Sequence, residues 1–244
     1  FRTQVSAHPY DAIIDAQGLL KSAVLTRLAT GKICGYDRHS VREALASLAY
    51  QHRFSVSKEA HAVERIRELF AQALGYAKPS AGPDYGLQRS RFCAAPEQPY
   101  VLFLHGTTRP DKHWPDVYWQ TLCKLVCESG VVVKLPWWSE TEHRRARLIA
   151  EAHQRADVLT RTNLAGMAAM IAGARAVVSV DTGLGHLAAA LAVPNLSLYG
   201  PTSPVLIGAY GPNQYHLNAR DFTLSSAPRV QPAVFAPLTP AIVF

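Results

Sequence analysis

The sequence predicts an α/β protein built on parallel sheets, and three observations carry that prediction. Short apolar runs rich in Val, Ile and Leu alternate with segments of helical period along most of the chain. Several of those runs stop at turns that combine glycine with Asp, Thr, Lys or His, the composition of strand-to-helix turns at the ligand-binding ends of open sheets. The 244 residues, 48% hydrophobic and 18% charged, supply enough apolar material for one large or two medium cores.

Taken in order, residues 12–14 read as a strand that runs into Asp15-Ala16-Gln17-Gly18, with an amphipathic helix beginning near Leu19. A second short strand is expected at 33–36, and 38–53 reads as a loop and helix rich in Arg and His. Residues 59–74 form a helix with Ala62, Ile66, Leu69 and Ala73 at helical spacing, ended by Gly75. Residues 78–99 carry Pro, Gly, Ser and Gln without periodicity and mark the domain boundary. The expected domains are 1–97 and 98–220, with a tail at 221–244.

The second half repeats strand and helix. Strands are expected at 100–104, 131–135, 177–180 and 196–199, and helices at 115–129, 140–155, 164–172 and 187–192. Beyond Gly211 the pattern fades into a Pro-rich stretch that periodicity leaves unassigned. Both ends read as cut: the chain opens on Phe1, and Thr239-Pro240 starts a helix that then has no body.

Ligands in such sheets gather outside the carboxyl ends of the strands, so the loops 105–113, 135–142 and 181–186 should meet in one crevice. In the first, Gly106 lets the backbone turn closely, Thr107 and Thr108 offer hydroxyls, and Arg109 and Lys112 offer cations to a phosphate. A solvated basic turn is the alternative. In the second, Ser139-Glu-Thr-Glu142 matches a capping box, and Glu142 is also a candidate acceptor for a ribose diol. In the third, a helix N-terminus follows Asp181-Thr182-Gly183-Leu184, where unpaired amides and a partial positive charge suit a phosphate. The alternative is that Asp181 or Thr182 caps the helix. His186 sits on the first turn of that helix, either as a structural imidazole or as a phosphate donor. The Arg144-Arg145-Arg147 run reads as a solvated face.

The net charge of +7 makes anionic partners plausible, but the basic residues are scattered and no RNA-binding aromatic signature is present, so nucleic acid is disfavoured. Cys34, Cys93, Cys123 and Cys127 form no CxxC pair, and Cys123 and Cys127, four apart on an expected helix, read as core thiols rather than metal ligands. No apolar run is long enough to cross a bilayer and no signal peptide is visible, which makes the cytoplasm the default.

Several motifs in one order, HGTTRPDKHW, KLPW, SVDTGLGHLAAAL and LYGPTSP with IGAYG, closely resemble the lipopolysaccharide heptosyltransferases. DAQGLLKSA, REALASLAY and HAVERIRELF in the first half resemble the same family, so the likeness covers residues 10–215. The resemblance implies a GT-B architecture of two Rossmann-like domains, the N-terminal acceptor-side one incomplete here and the C-terminal one holding the nucleotide sugar. It implies inverting transfer of L-glycero-D-manno-heptose from ADP-heptose to the Kdo of Kdo2-lipid A, without metal or other cofactor. It also implies peripheral contact with the anionic cytoplasmic face of the inner membrane.

Carried onto this chain, the resemblance makes Lys112 and Asp181 the catalytic residues. Thr107, Thr108 and Lys112 bind the diphosphate, Lys112 stabilises its departure, and Glu142 holds the ribose. Asp181 binds heptose hydroxyls, with Thr182, Gly183, Leu184 and His186 around the phosphates. The chain departs from the family in having Gly185 where Ser is usual. The strand-loop bearing the family's proposed general base, an Asp, is not in this span, and Asp15 matches a different family strand. Little turnover is therefore expected of the span alone. The competing functions are a nucleotide- or ADP-sugar-binding module without chemistry and, more distantly, a sugar-nucleotide epimerase, which would convert donor without acceptor.

Overall fold

The computed structural model describes residues 2–92, 98–224 and 228–244. The chain divides into two compact units between Gly82 and Pro83. The first contains a single helical turn α1 (Arg2–Val5), β1 (Tyr10–Asp15), α2 (Leu20–Thr26), β2 (Gly31–Tyr36), a 3-10 helix at Ala44–Ala49, β3 (His52–Phe54) and α3 (Ala62–Leu74). The three strands pair in parallel in the order β1-β2-β3. Ile33, Tyr36, Val41, Tyr50 and Leu69 form the core of this unit. Gly75 ends α3 at φ 73°, the left-handed conformation in which a side chain is penalised. The helix expected within 38–53 is instead a 3-10 helix followed by β3. Three residues reading His-Arg-Phe carry no alternation to reveal a strand.

The second unit contains β4 (Tyr100–Leu104), α4 (Asp116–Glu128), β5 (Val132–Leu135), α5 (Glu140–Ala150), β6 (Ala156–Val158), α6 (Leu164–Gly173) and β7 (Ala176–Val180). It continues through α7 (Gly183–Ala190), β8 (Asn195–Tyr199), α8 (Pro204–Ile207), β9 (Gln214–Asn218) and α9 (Pro240–Val243). Its six parallel strands run in the order β6-β5-β4-β7-β8-β9. Period-two alternation sends Phe103, Val178 and Val180 into one apolar layer and Leu102, Leu104 and Val177 into the other. Both faces are buried, as a doubly wound sheet requires.

The structure differs from the expected 97/98 division and from the separate tail. Tyr85 donates to the Tyr210 carbonyl at 2.7 Å, and the Arg89 guanidinium donates to the Ala172 and Ala174 carbonyls at 2.6 and 2.7 Å. These bonds tie the segment after Pro83 to the second unit. The 221–244 stretch also joins that unit: Phe235 and Leu238 are wholly buried, Trp114 Nε1 donates to the Leu238 carbonyl at 2.9 Å, and Tyr118 donates to that of Ala236 at 3.0 Å. Its many prolines remove the periodicity by which helices and strands are read, while leaving side chains free to fill a core.

Candidate functional site

The strand order of the second unit reverses between β4 and β7, which pair side by side with Leu104 opposite Ser179. The chain leaves β4 toward one half of the sheet and β7 toward the other, opening a crevice beyond their carboxyl ends. That crevice, about 780 Å³, is lined from the three expected loops, by residues that include Thr107, Thr108, Lys112, Glu142, Asp181 and Thr182. A fourth segment, 162–167, completes the wall.

At its base Lys112 Nζ lies 2.7 Å from Asp181 Oδ2, and both side chains are largely buried, at 16% and 8% exposure. The same oxygen accepts a hydrogen bond from Thr202 Oγ1 at 2.8 Å. Thr107 Oγ1 donates to the Asp181 carbonyl at 3.1 Å and so ties the two loops together. The Asp181 carboxylate is thus committed to Lys112 and Thr202. Thr182, the N-cap of α7, makes no side-chain capping bond either. Neither residue caps the helix, so its first amides are left unclaimed by those side chains where Gly183 and Leu184 line the crevice, at the positive end of the helix dipole.

The capping box at α5 forms as expected. Ser139 Oγ accepts from Glu142 N at 3.2 Å, and Glu142 Oε2 accepts from Ser139 N at 3.1 Å and Trp138 N at 2.8 Å. Glu142 Oε1 rests against Gly106, where a Cβ would come within 2.5 Å of it. Capping therefore occupies one carboxylate oxygen and leaves the other at the crevice wall. Gly183, Leu184 and His186 also line the crevice. His186 keeps an exposed edge, but the surrounding walls desolvate the ring and hold its pKa below the usual value; Asp181 opposes that shift and Lys112 adds to it.

Two basic residues stand differently from expectation. Arg109 is exposed, paired with Asp111, and absent from the crevice lining. Arg145 does not join a solvated face: its side chain is 17% exposed, Nε lies 2.8 Å from Asp116 Oδ1, and Nη1 lies 2.5 Å from His113 Nδ1. His105, the residue before Gly106, is buried beside the Pro136 backbone. Burial first, then the nearby charge of Arg145, pushes its pKa down to about 3, against the pull of the Pro136 backbone. Cys34, Cys123 and Cys127 are buried free thiols, and burial raises the pKa of Cys123 to about 12. Cys93 lies outside the described residues. Among the described residues no group of His, Cys, Asp and Glu is arranged to hold a metal ion, and no helix is long and apolar enough to cross a membrane.

The family model for glycosyltransferase family 9 (heptosyltransferase) matches residues 1–231. The chain belongs to this family. Similar proteins include lipopolysaccharide heptosyltransferase 1 of Pseudomonas aeruginosa, 54% identical over 90% of this chain and 62% of its own length. The protein of the same name from Escherichia coli K12 is 51% identical over 88% of this chain and 68% of its own length. The chain thus spans about two thirds of the length of these relatives. The solved structure of the E. coli heptosyltransferase WaaC with ADP superimposes with a TM-score of 0.86 at 46% identity, covering 100% of this chain and 73% of that one. The family's α/β architecture of two parallel-sheet units is the one found here.

In this family member every sequence-derived site residue except Arg109 lines the one crevice. Sequence reading missed Thr202, which lies inside the LYGPTSP motif but carries no charge to draw attention. It also passed over Trp137 and Trp138 in the second loop. Trp137 stacks on His143 with centroids 4.1 Å apart and donates to the Leu159 carbonyl at 2.7 Å, while Arg161 sits 4.4 Å above the exposed Trp138 ring.

Proposed function

We propose that the crevice is the donor site of an inverting heptosyltransferase that moves L-glycero-D-manno-heptose from ADP-heptose to the Kdo of Kdo2-lipid A. The observation that carries the reading is the meeting of the Lys112 ammonium with the uncapped start of α7 in one crevice. As the glycosidic bond breaks, negative charge grows on the departing diphosphate. A mobile ammonium and fixed backbone amides aimed at that charge stabilise the transition state more than the bound donor.

In this reading Thr107, Thr108 and Lys112 bind the diphosphate, together with Thr182, Gly183, Leu184 and His186. Glu142 Oε1 accepts from the ribose, and Asp181 accepts from heptose hydroxyls. Lys112 and the α7 amides carry the leaving-group charge, so the scheme calls for no metal ion. The likeness to a solved structure holding ADP supports the nucleotide assignment. The acceptor's lipid implies work at the cytoplasmic face of the inner membrane, and the net charge of +7 favours an anionic surface there.

Incubation of a full-length family member carrying these residues with radiolabelled ADP-heptose, with and without Kdo2-lipid A, tests the reading. A heptosyltransferase moves label to the lipid only when acceptor is present. Binding of ADP-heptose with no consumption by a full-length family member carrying these residues would assign the crevice to a binding module instead. Conversion of donor without acceptor would mark an epimerase.

A further inference from the structure

Asp181 has a second partner that no part of the donor scheme uses. Thr202 lies in the turn after β8, and its hydroxyl donates to the same Oδ2 that holds Lys112. The turn is fixed from several directions. A Cβ at Gly200 would come within 2.7 Å of the buried Phe235 ring, so only glycine lets the backbone lie this close. The Pro201 carbonyl accepts from Arg220 Nη2 at 3.2 Å, and the Thr202 carbonyl lies 3.4 Å from Asn218 Nδ2. Thr202 therefore presents its hydroxyl from a frame set by β9, Arg220 and the buried Phe235 ring rather than from a free loop.

Two anions compete for Lys112 once a diphosphate enters: the phosphate and Asp181. A carboxylate 8% exposed, held by its cation alone, would either keep the ammonium or follow it toward the phosphate. A fixed neutral donor on Oδ2 gives it a third course. It stays in place with one hydrogen bond retained while Lys112 turns away, and Oδ1 remains free for a hydroxyl group.

We propose that Thr202 is a positioning residue for the donor sugar: its hydroxyl anchors the Asp181 carboxylate so that Lys112 can be released to the diphosphate while Asp181 stays aligned on the sugar. The assignment rests on the donor-site reading above. It places sugar recognition partly in the turn after β8, outside the three loops that form the crevice mouth.

Calorimetric titration of ADP and ADP-heptose into the chain and its Thr202→Val and Thr202→Ser variants tests it. Valine keeps the shape and removes the donor; serine restores it. Thr202→Val should weaken ADP-heptose binding about tenfold, as loss of a hydrogen bond to a buried charge does, while ADP affinity changes by less than about threefold. Thr202→Ser should recover most of the loss. A merely structural role would shift both ligands together and leave their ratio unchanged, which would overturn the proposal. If Thr202→Val fails to fold, Thr202→Ala read against Thr202→Ser gives the same ratio. An unmutated chain that binds neither nucleotide would overturn the donor-site reading itself, an outcome distinct from an unchanged ratio.

Discussion

Asp15 closes β1 and Asp181 directly follows β7, both parallel strands in the two units of this chain, each buried, each followed within a few residues by glycine and a short helix. Their surroundings differ completely. Asp15 accepts from the Gln17 and Gly18 amides at 2.9 and 3.1 Å, from Ser22 Oγ at 2.8 Å and from Tyr50 OH at 2.7 Å. All four donors are neutral and fixed. The helix that follows is closed too, since Glu43 Oε2 accepts from the first amide of α2, Leu20 N, at 2.6 Å. Asp181 instead shares one oxygen between a mobile ammonium and a hydroxyl, and no side chain caps its helix. One aspartate is a structural pin; the other is half of an ion pair that a competing anion can open. The same strand-loop-helix pattern yields a closed turn or a binding site according to which residues arrive from elsewhere in the fold.

Removing the partner that distinguishes Asp181 should have the largest effect. Lys112→Ala, made in a full-length family member, should lower turnover by about two to three orders of magnitude in the transfer assay. An unchanged rate would exclude leaving-group stabilisation by this residue. Asp15→Ala should cost about 2–4 kcal/mol of stability in urea unfolding, because it strands the buried Tyr50 hydroxyl and two loop amides. It should leave ADP affinity of the folded chain within about twofold, whereas a selective loss of nucleotide binding would erase the contrast between the two aspartates.

His105 sharpens the contrast from the other side, as a buried titratable group without the partners that complete Asp15. Its folded pKa of about 3 lies below the usual 6.5, so the unfolded chain binds a proton that the native state does not. The native state is therefore favoured above pH 6.5, and this contribution falls on acidification from there toward pH 3. The slope is up to about 1.4 kcal/mol per pH unit. Unfolding midpoints at pH 7 and pH 5 should differ less in His105→Phe than in the unmutated chain. Equal pH dependence would mean that this imidazole titrates normally.

Much of the second unit was legible because β4, β5 and β7 are mostly apolar and end at turns of marked chemistry. The loops at 105–113, 135–142 and 181–186 announce themselves through glycine, charge and a capping box, and the parallel-sheet rule alone predicts that they meet. Thr202 was not legible: a threonine in a Pro-Gly turn has no local signal, and its value arises only from the pairing of β7 with β8. β6 was hidden for a related reason, being only three residues, Ala156–Val158, directly after a stretch read as helix. The packing of 233–238 under Trp114 is likewise a long-range fact that prolines mask. Asp15 and Asp181 make the limit plain, since sequence gives both the same punctuation and only the contacts separate them.

The central claim is that Lys112 and the opening amides of α7 jointly hold a diphosphate, and comparison of ADP with AMP tests it most directly. Calorimetry should find ADP bound at least about tenfold more tightly than AMP by the unmutated chain, with most of that gap lost in Lys112→Ala. Equal affinity for ADP and AMP, or a gap that survives the loss of Lys112, would contradict the account.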